Sequence, residues 1–319
     1  LKVTIISLDK WGYNDFIAQE LKKRNVTVKH IDFYKLKYKY PTVLHKVLNF
    51  FTKTLFNYNF KREHLNNVLL DITKNQKKQD VTLIIKGDNL SISTIKEIKK
   101  NTKYLVTFLN DSMARYPRMK RVFPYFDKVY SFDPDDVAKN GFNSITNYIY
   151  FDLNNLTPTK TKHCVFNISS LDKRSKTMPR FAAYFKNSKI DYKLIAFSNK
   201  THEELKDLNI EITNKMYSLD EVFELVKKSE ILLDLQRPNQ KGLSFRILEG
   251  IGLNKKIITT NQDVINYDFY NPKNIAVVDS NNITISSDFF KTPYEKIDPS
   301  IVKKYHISSW VNEVFNLNN

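Results

Sequence analysis

Short apolar runs alternate with helical-period stretches along the whole chain. KVTIISL (2–8) has strand length, Asp15 to Lys23 repeats apolar residues at helical spacing, and VTVKHIDF (26–33) is apolar again. The alternation continues with VTLIIKG (81–87), a helix over 92–100, a strand over 104–109, FDKVYSF (126–132) and a strand over 147–151. Asn154 to Lys162 is polar and carries Pro158, which marks a linker. A second series follows: HCVFNIS (163–169), a helix over 178–187, YKLIAF (192–197), a short strand over 209–213 and a helix after Ser218, whose Glu221 completes a capping box. NIAVVD (274–279) is the last strand, and a helix over 308–315 closes the chain. Two successive βαβ series predict an α/β protein with two Rossmann-like domains facing each other across a cleft, at 1–153 and 154–305.

The most informative stretch is 231–261, ILLDLQRPNQKGLSFRILEGIGLNKKIITTN. Its order is buried strand, polar turn with Pro238 and Gly242, helix capped by Ser244, and a second strand. Lys255 and Lys256 stand near the helix end, where cations suit the dipole. Such a turn delivers backbone N–H groups and a helix N-terminus to the carboxyl edge of a sheet, where anions bind. Arg246 adds a forked cation for phosphate and Glu249 an acceptor for ribose hydroxyls; the bland alternative is an i, i+3 salt bridge on a helix surface.

Other polar residues also follow strands. Asp9 is either a catalytic carboxylate or a loop acid at the start of a helix. Asp111 is either a helix N-cap or a cleft acid that meets the acceptor, with Ser112 and Arg115 beside it. Asp133-Pro134-Asp135-Asp136 resembles a metal-binding acidic motif, but helix-starting chemistry explains each acid, so no metal is expected. Arg174, in the loop after a strand, is a candidate phosphate contact.

Charge changes the picture in one region. The 319 residues hold 51 Lys and Arg against 34 Asp and Glu, a formal charge of +17 that favours anionic partners. From Lys22 to Arg62 eleven cations face Asp32 alone, interleaved with Tyr34, Tyr38, Tyr40, Phe50, Phe51, Phe56, Tyr58 and Phe60. Within it Val43-Leu44, Val47-Leu48, Phe51 and Leu55 mark one helical face, with Lys46 and Lys53 elsewhere around the helix. This suits an anionic membrane surface, or a helix covering the domain core; RNA is the third option, though no RNA-recognition signature accompanies the patch and no nucleic acid is expected. A single Cys164 excludes an intrachain disulfide and a cysteine-based metal site. The opening apolar run is too short for a secretory signal, and no 18-residue apolar run occurs. The expected location is cytoplasmic, peripheral on the inner face of the membrane.

The 231–261 stretch resembles the donor-binding segment of GT-B glycosyltransferases, most of all bacterial enzymes of capsule and lipopolysaccharide assembly, including the spore-maturation-protein-like group. The pattern Q-x-GL-x-x-R-x-x-E, a lysine-rich turn and I-T-T-N are matched by Gln240, Gly242, Leu243, Arg246, Glu249, Lys255, Lys256 and Thr259 to Asn261. DSMARYP (111–117) and YFDKVYSFDPDDVAKNGF (125–142) are similar to a first-domain segment of the same group. The resemblance implies a nucleotide-sugar donor bound mainly by the second domain, through Gln240, Gly242, Leu243, Ser244, Arg246, Glu249 and Arg174. It implies a glycan or glycolipid acceptor bound mainly by the first, at Ser112 and Arg115, and metal-independent transfer with no cofactor. It also implies that a C-terminal helix, 306–319, packs on the first domain. Asp111 and then Asp9 are the candidate bases. One position departs: Lys241 stands where many retaining members carry the first acid of an E-x7-E pair. A nucleotide-sugar epimerase of the same fold and a non-catalytic binder of RNA or acidic surfaces are the competing readings.

Overall fold

The computed structural model describes residues 1–156, 159–171 and 177–317, in two compact units: Leu1–Ile145 with the residues from Val311 on, and Thr146–Trp310. The division falls at 145/146, before the 154–162 segment expected as the linker.

The first unit runs β1 (Lys2–Ser7), α1 (Asp15–Lys23), β2 (Thr27–Asp32), α2 (Val43–Phe56), α3 (Phe60–Lys74), β3 (Gln79–Ile85), α4 (Ile92–Lys100), β4 (Thr102–Leu109), β5 (Lys128–Ser131), α5 (Pro134–Asn140) and β6 (Asn143–Ser144). All its strand pairs are parallel, in the order β2-β1-β3-β4-β5-β6. Val81 to Ile85 are all buried, because helices cover both faces of a parallel sheet. Leu69 of α3 and Ile95 and Ile98 of α4 pack with Ile6, Ile84 and Leu105 to form one side of the core.

The second unit carries β7 (His163–Ser170), α6 (Thr177–Asn187), β8 (Tyr192–Phe197), β9 (Ile210–Thr213), α7 (Leu219–Lys227), β10 (Ser229–Asp234), α8 (Phe245–Gly252), β11 (Lys256–Thr259), β12 (Ile275–Val277), α9 (Ser287–Lys291) and α10 (Pro299–Lys304). Its parallel sheet has the order β12-β11-β10-β7-β8-β9. The last helix, α11 (Ile307–Phe315), begins in the second unit and ends in the first. There Tyr130 donates to the Glu313 carboxylate at 2.9 Å and its carbonyl at 3.0 Å, while Lys128 donates to that carboxylate at 3.1 Å.

Ser218 and Glu221 form the expected capping box, and Asp133 accepts from the Asp135 amide at 3.0 Å as an N-cap. Three local expectations are corrected. Residues 147–151 are not a first-domain strand: they belong to the second unit and make one isolated bridge, Ile149 to His306. No helix starts at Ser112, so Asp111 is not an N-cap; the residues after it form turns and then a short 3-10 segment at Pro117–Arg121. Lys255 and Lys256 do not serve the end of α8: Lys255 Nζ donates to the Lys227 and Ser229 carbonyls, and Lys256 Nζ donates to the Phe289 carbonyl and Thr292 Oγ1. The ends of α7 and α9, brought close by the sheet, receive these cations instead.

Candidate functional site

In a doubly wound sheet the chain leaves a crevice where the strand order reverses, at the carboxyl ends of the two strands involved. In the second unit those strands are β7 and β10. The loop after β10 is 235–244, which places the sequence-predicted turn and the start of α8 at this point. The loop after β7 contains Arg174, which lies outside the described residues.

Side chains hold the turn from within. Gln236 Nε2 donates to the Gln240 carbonyl at 2.8 Å and the Gly242 carbonyl at 3.3 Å. Asn261 Nδ2 donates to the Lys241 carbonyl at 3.1 Å and the Gly242 carbonyl at 3.4 Å, and Asn147 Nδ2 to the Leu243 carbonyl at 2.9 Å. The carbonyls of 240–243 are thus held by three side chains, Gln236, Asn261 and Asn147, which fix the backbone of the turn. Asn239, at φ 60°, supplies the left-handed residue of this turn, rather than Gly242.

The start of α8 is anchored with equal care. Ser244 Oγ accepts from the Ile247 amide at 3.3 Å and donates to Asp234 Oδ1 at 2.6 Å, while Thr259 Oγ1 donates to Asp234 Oδ2 at 2.7 Å. Ser244 is thus the expected N-cap, and the buried Asp234 ties it to β10 and β11. Leu243 is fully buried and packs with Ile247, Leu248 and Ile257.

Arg246 and Glu249 do form their i, i+3 pair, with Arg246 Nη1 2.5 Å from Glu249 Oε2, but not on the surface. Glu249 is 1% exposed, and its other oxygen accepts from Tyr150 Oη at 2.7 Å. Burial pushes the Glu249 carboxyl up from its ordinary value, with Arg246 and the Tyr150 hydroxyl pulling it back. The Arg246 guanidinium lies 5.4 Å from the centre of the Phe166 ring on β7, one of the two strands of the switch point. Tyr150, Gln236 and Asp234 were not singled out by the sequence, and Asn261 was matched to the motif without a role; nothing in their spacing links Tyr150 to a partner 99 positions away.

In the first unit the order reverses between β1 and β3, and their loops carry Asp9 and Lys86. Asp9 accepts from the Gly12 amide at 2.9 Å and the Asp15 amide at 3.0 Å, which fixes the turn into α1. Burial raises its pKa although amides of the same turn oppose the shift. Asp111, after β4, is the hub of an ion-pair cluster: Lys86 Nζ is 2.7 Å from one oxygen and Arg115 Nη1 2.6 Å from the other. Burial acts to raise its pKa, but Lys86 and Arg115 outweigh it and hold Asp111 below the usual carboxylate range. Lys86 has φ 58°, a left-handed backbone unusual for a long side chain, and its ammonium lies 4.7 Å from the Tyr116 ring centre. Ser112 is 3% exposed, and Arg115 is brought against Asp111. Among the described residues no group of three or more His, Cys, Asp or Glu is placed to hold a metal ion.

No family model matches the chain, and no curated protein matches it in sequence. Solved structures do match. AviGT4, a glycosyltransferase involved in avilamycin A biosynthesis, superposes with a TM-score of 0.59 at 10% identity, over 99% of this chain and 97% of its own. A TarM variant from S. aureus, in complex with fondaparinux, α-GlcNAc-glycerol and UDP, gives 0.58 at 9% identity over 99% of both chains. The UDP-GlcNAc 2-epimerase of Methanocaldococcus jannaschii gives 0.55 at 11% identity, over 99% of this chain and all of its own. The fold is GT-B. Its two six-stranded parallel sheets are matched along nearly the whole chain in glycosyltransferases and in an epimerase alike.

Proposed function

We propose that this GT-B chain is a glycosyltransferase that moves a sugar from a nucleotide-diphosphate donor to a cell-surface glycan precursor without a metal. One observation supports the reading: the Gln240–Glu249 segment, a side-chain-braced turn leading into the N-terminus of α8, follows β10 at the switch point of the second sheet, where anions bind in such folds. As the donor bond breaks, negative charge grows on the diphosphate; those amides and Arg246 stabilise it. Glu249 reaches ribose hydroxyls only by sharing its bond with Tyr150 or Arg246, so donor binding remodels the pair. In the first unit Arg115, beside Asp111, meets the acceptor, while the buried Ser112 supports this loop from within. For an inverting course Asp111 and Asp9 are the candidate bases: burial raises the carboxyl of Asp9, while Lys86 and Arg115 hold that of Asp111 low. Lipopolysaccharide or capsule assembly, as in the spore-maturation-protein-like group, is the setting the sequence resemblance favours. The basic 22–62 segment keeps the enzyme at the inner face of the cytoplasmic membrane, against anionic lipid.

Calorimetric titration with UDP, GDP, ADP and TDP tests the reading. One of them binds, and Arg246→Lys weakens it by losing the two-pronged contact. Failure of all four to bind overturns it. The similarity to a UDP-GlcNAc 2-epimerase favours a second reading, sugar epimerisation. An epimerase converts its nucleotide sugar with no acceptor present, whereas a transferase releases nucleotide only when acceptor is added.

A further inference from the structure

Helix α2 is inside out. The positions that face the protein, His45, Asn49 and Thr52, follow one another at i, i+4 and i+7, and all three are polar. Asn49 is the one buried residue of the helix; its Nδ2 donates to Tyr40 Oη at 2.8 Å and its Oδ1 accepts from the Phe60 amide at 2.7 Å. His45 stacks on Phe60 with ring centres 4.5 Å apart, and Asn57, the left-handed C-cap, is held by Arg62 and Arg118. The side turned away from the protein carries Val43 (79% exposed), Leu44 (80%), Phe50 (65%), Leu55 (70%), Val47, Leu48 and Phe51. At about 100° per residue these span an arc of roughly 160°, interrupted by Thr54 alone. An ordinary surface helix turns such an arc toward the core, and a patch of this kind on a monomer marks an interaction face.

The surrounding charge says what covers it. No acidic residue occurs from Phe33 to Arg62, while Lys35, Lys37, Lys39, Lys46, Lys53 and Lys61 are exposed. Lys46 and Lys53, seven residues apart, lie on one flank of the apolar arc. An apolar face with a one-sided cationic border fits the boundary between acyl chains and anionic headgroups. We infer that α2 lies in the plane of an anionic bilayer, inserting Leu44, Leu48, Phe51 and Leu55 among the acyl chains while the lysines meet headgroup phosphates. The anchor is therefore mainly hydrophobic, with charge guiding the approach. This deepens the membrane partner of the proposed function and depends on that reading only for the acceptor's lipid attachment.

Flotation with vesicles of phosphatidylcholine alone and of phosphatidylcholine mixed with phosphatidylglycerol tests it. Wild-type protein floats with the mixed vesicles and stays bound at about 1 M salt, where charges are screened beyond about 3 Å. The triple variant Leu44→Ser, Phe51→Ser, Leu55→Ser loses at least about tenfold in partitioning. Lys46→Gln with Lys53→Gln weakens binding at low salt and leaves the salt-resistant part. Because the altered side chains are exposed, unfolding midpoint and nucleotide binding stay at wild-type values; Phe51→Trp, an independent reporter, shifts its emission to the blue on adding vesicles. Release by salt, unchanged flotation of the triple variant, or an unshifted Trp emission overturns the inference. So does sedimentation as a dimer that the triple serine variant dissociates, since a second copy would then cover the face. Nucleotide titration and flotation are separate readouts, so a failed anchor is distinguishable from a failed transferase.

Discussion

At the scale of single residues, the decisive finding is where Glu249 lies. A carboxylate at 1% exposure costs several kcal/mol to ionise, and Arg246 with the Tyr150 hydroxyl offsets only part of that cost here. Arg246→Ala removes the ion-pair partner of this buried carboxyl and destabilises the fold, by about 3–5 kcal/mol where Glu249 is ionised. The pH dependence has a fixed sign. Because burial raises the native pKa of Glu249 above its ordinary 4.5, its contribution to stability is fully present below 4.5 and is lost as pH rises through the native value. Removing Arg246 raises that value further, so the penalty shrinks as pH falls toward 4.5. Urea unfolding of both proteins across pH checks this, and a penalty that is flat in pH contradicts a buried ion pair. The two first-unit acids separate by the same logic. Asp111→Asn weakens the ion pairs with Lys86 and Arg115, whereas Asp9→Asn removes a carboxyl that burial raises; under the proposed roles the first acts on acceptor affinity and the second on proton transfer. The expected kinetic split is a larger kcat loss for Asp9→Asn and a larger KM rise for Asp111→Asn; equal profiles would falsify the assignment.

At the scale of elements, α8 and α2 show what the sequence pattern can and cannot reveal. The strand–turn–helix–strand order of 231–261 was legible because strand length, Pro238, the Ser244 cap and helical spacing all agree. The closeness of α8 to its neighbours was not. A Cβ on Gly250 would lie 2.6 Å from Ile257 Cγ1, and one on Gly252 would lie 2.7 Å from Phe151 Cζ. Gly250→Ala and Gly252→Ala should each cost about 1–3 kcal/mol by overpacking, although alanine is the better helix former. Denaturant titration checks both, and a neutral or stabilising result would mean that β11 and the 149–151 segment give way freely. For α2 the apolar face was legible but its direction was not. Helical period shows that one side is apolar; it does not say whether that side meets core or solvent. Asn49, buried through bonds to Tyr40 and Phe60, decides the orientation, and its spacing with His45 and Thr52 is the trace of it in the sequence.

At the scale of the whole molecule, strand order is what converts a list of elements into a site. Two βαβ series were readable from hydrophobic runs alone, but the reversals between β1 and β3 and between β7 and β10 depend on pairings across long chain separations. The β3–β4 pairing puts Lys86 beside Asp111, and the packing of α8 puts Arg246 over Phe166 and Glu249 against Tyr150, so Lys86 and Tyr150 gained roles that no local motif gave them. The reversals also bear on how a chain with a formal charge of +17 treats a diphosphate. If amides at 241–244, the α8 N-terminus and Arg246 meet its charge, binding stabilises the native chain by mass action, by about 2.7 kcal/mol at a hundred times Kd. A divalent cation adds nothing to that linkage. The unfolding midpoint measured by scanning calorimetry should therefore rise with the preferred nucleotide diphosphate and rise equally in the presence of EDTA. A rise that EDTA abolishes and Mg²⁺ or Mn²⁺ restores would move the charge-balancing role from the protein's own amides and Arg246 to a bound cation.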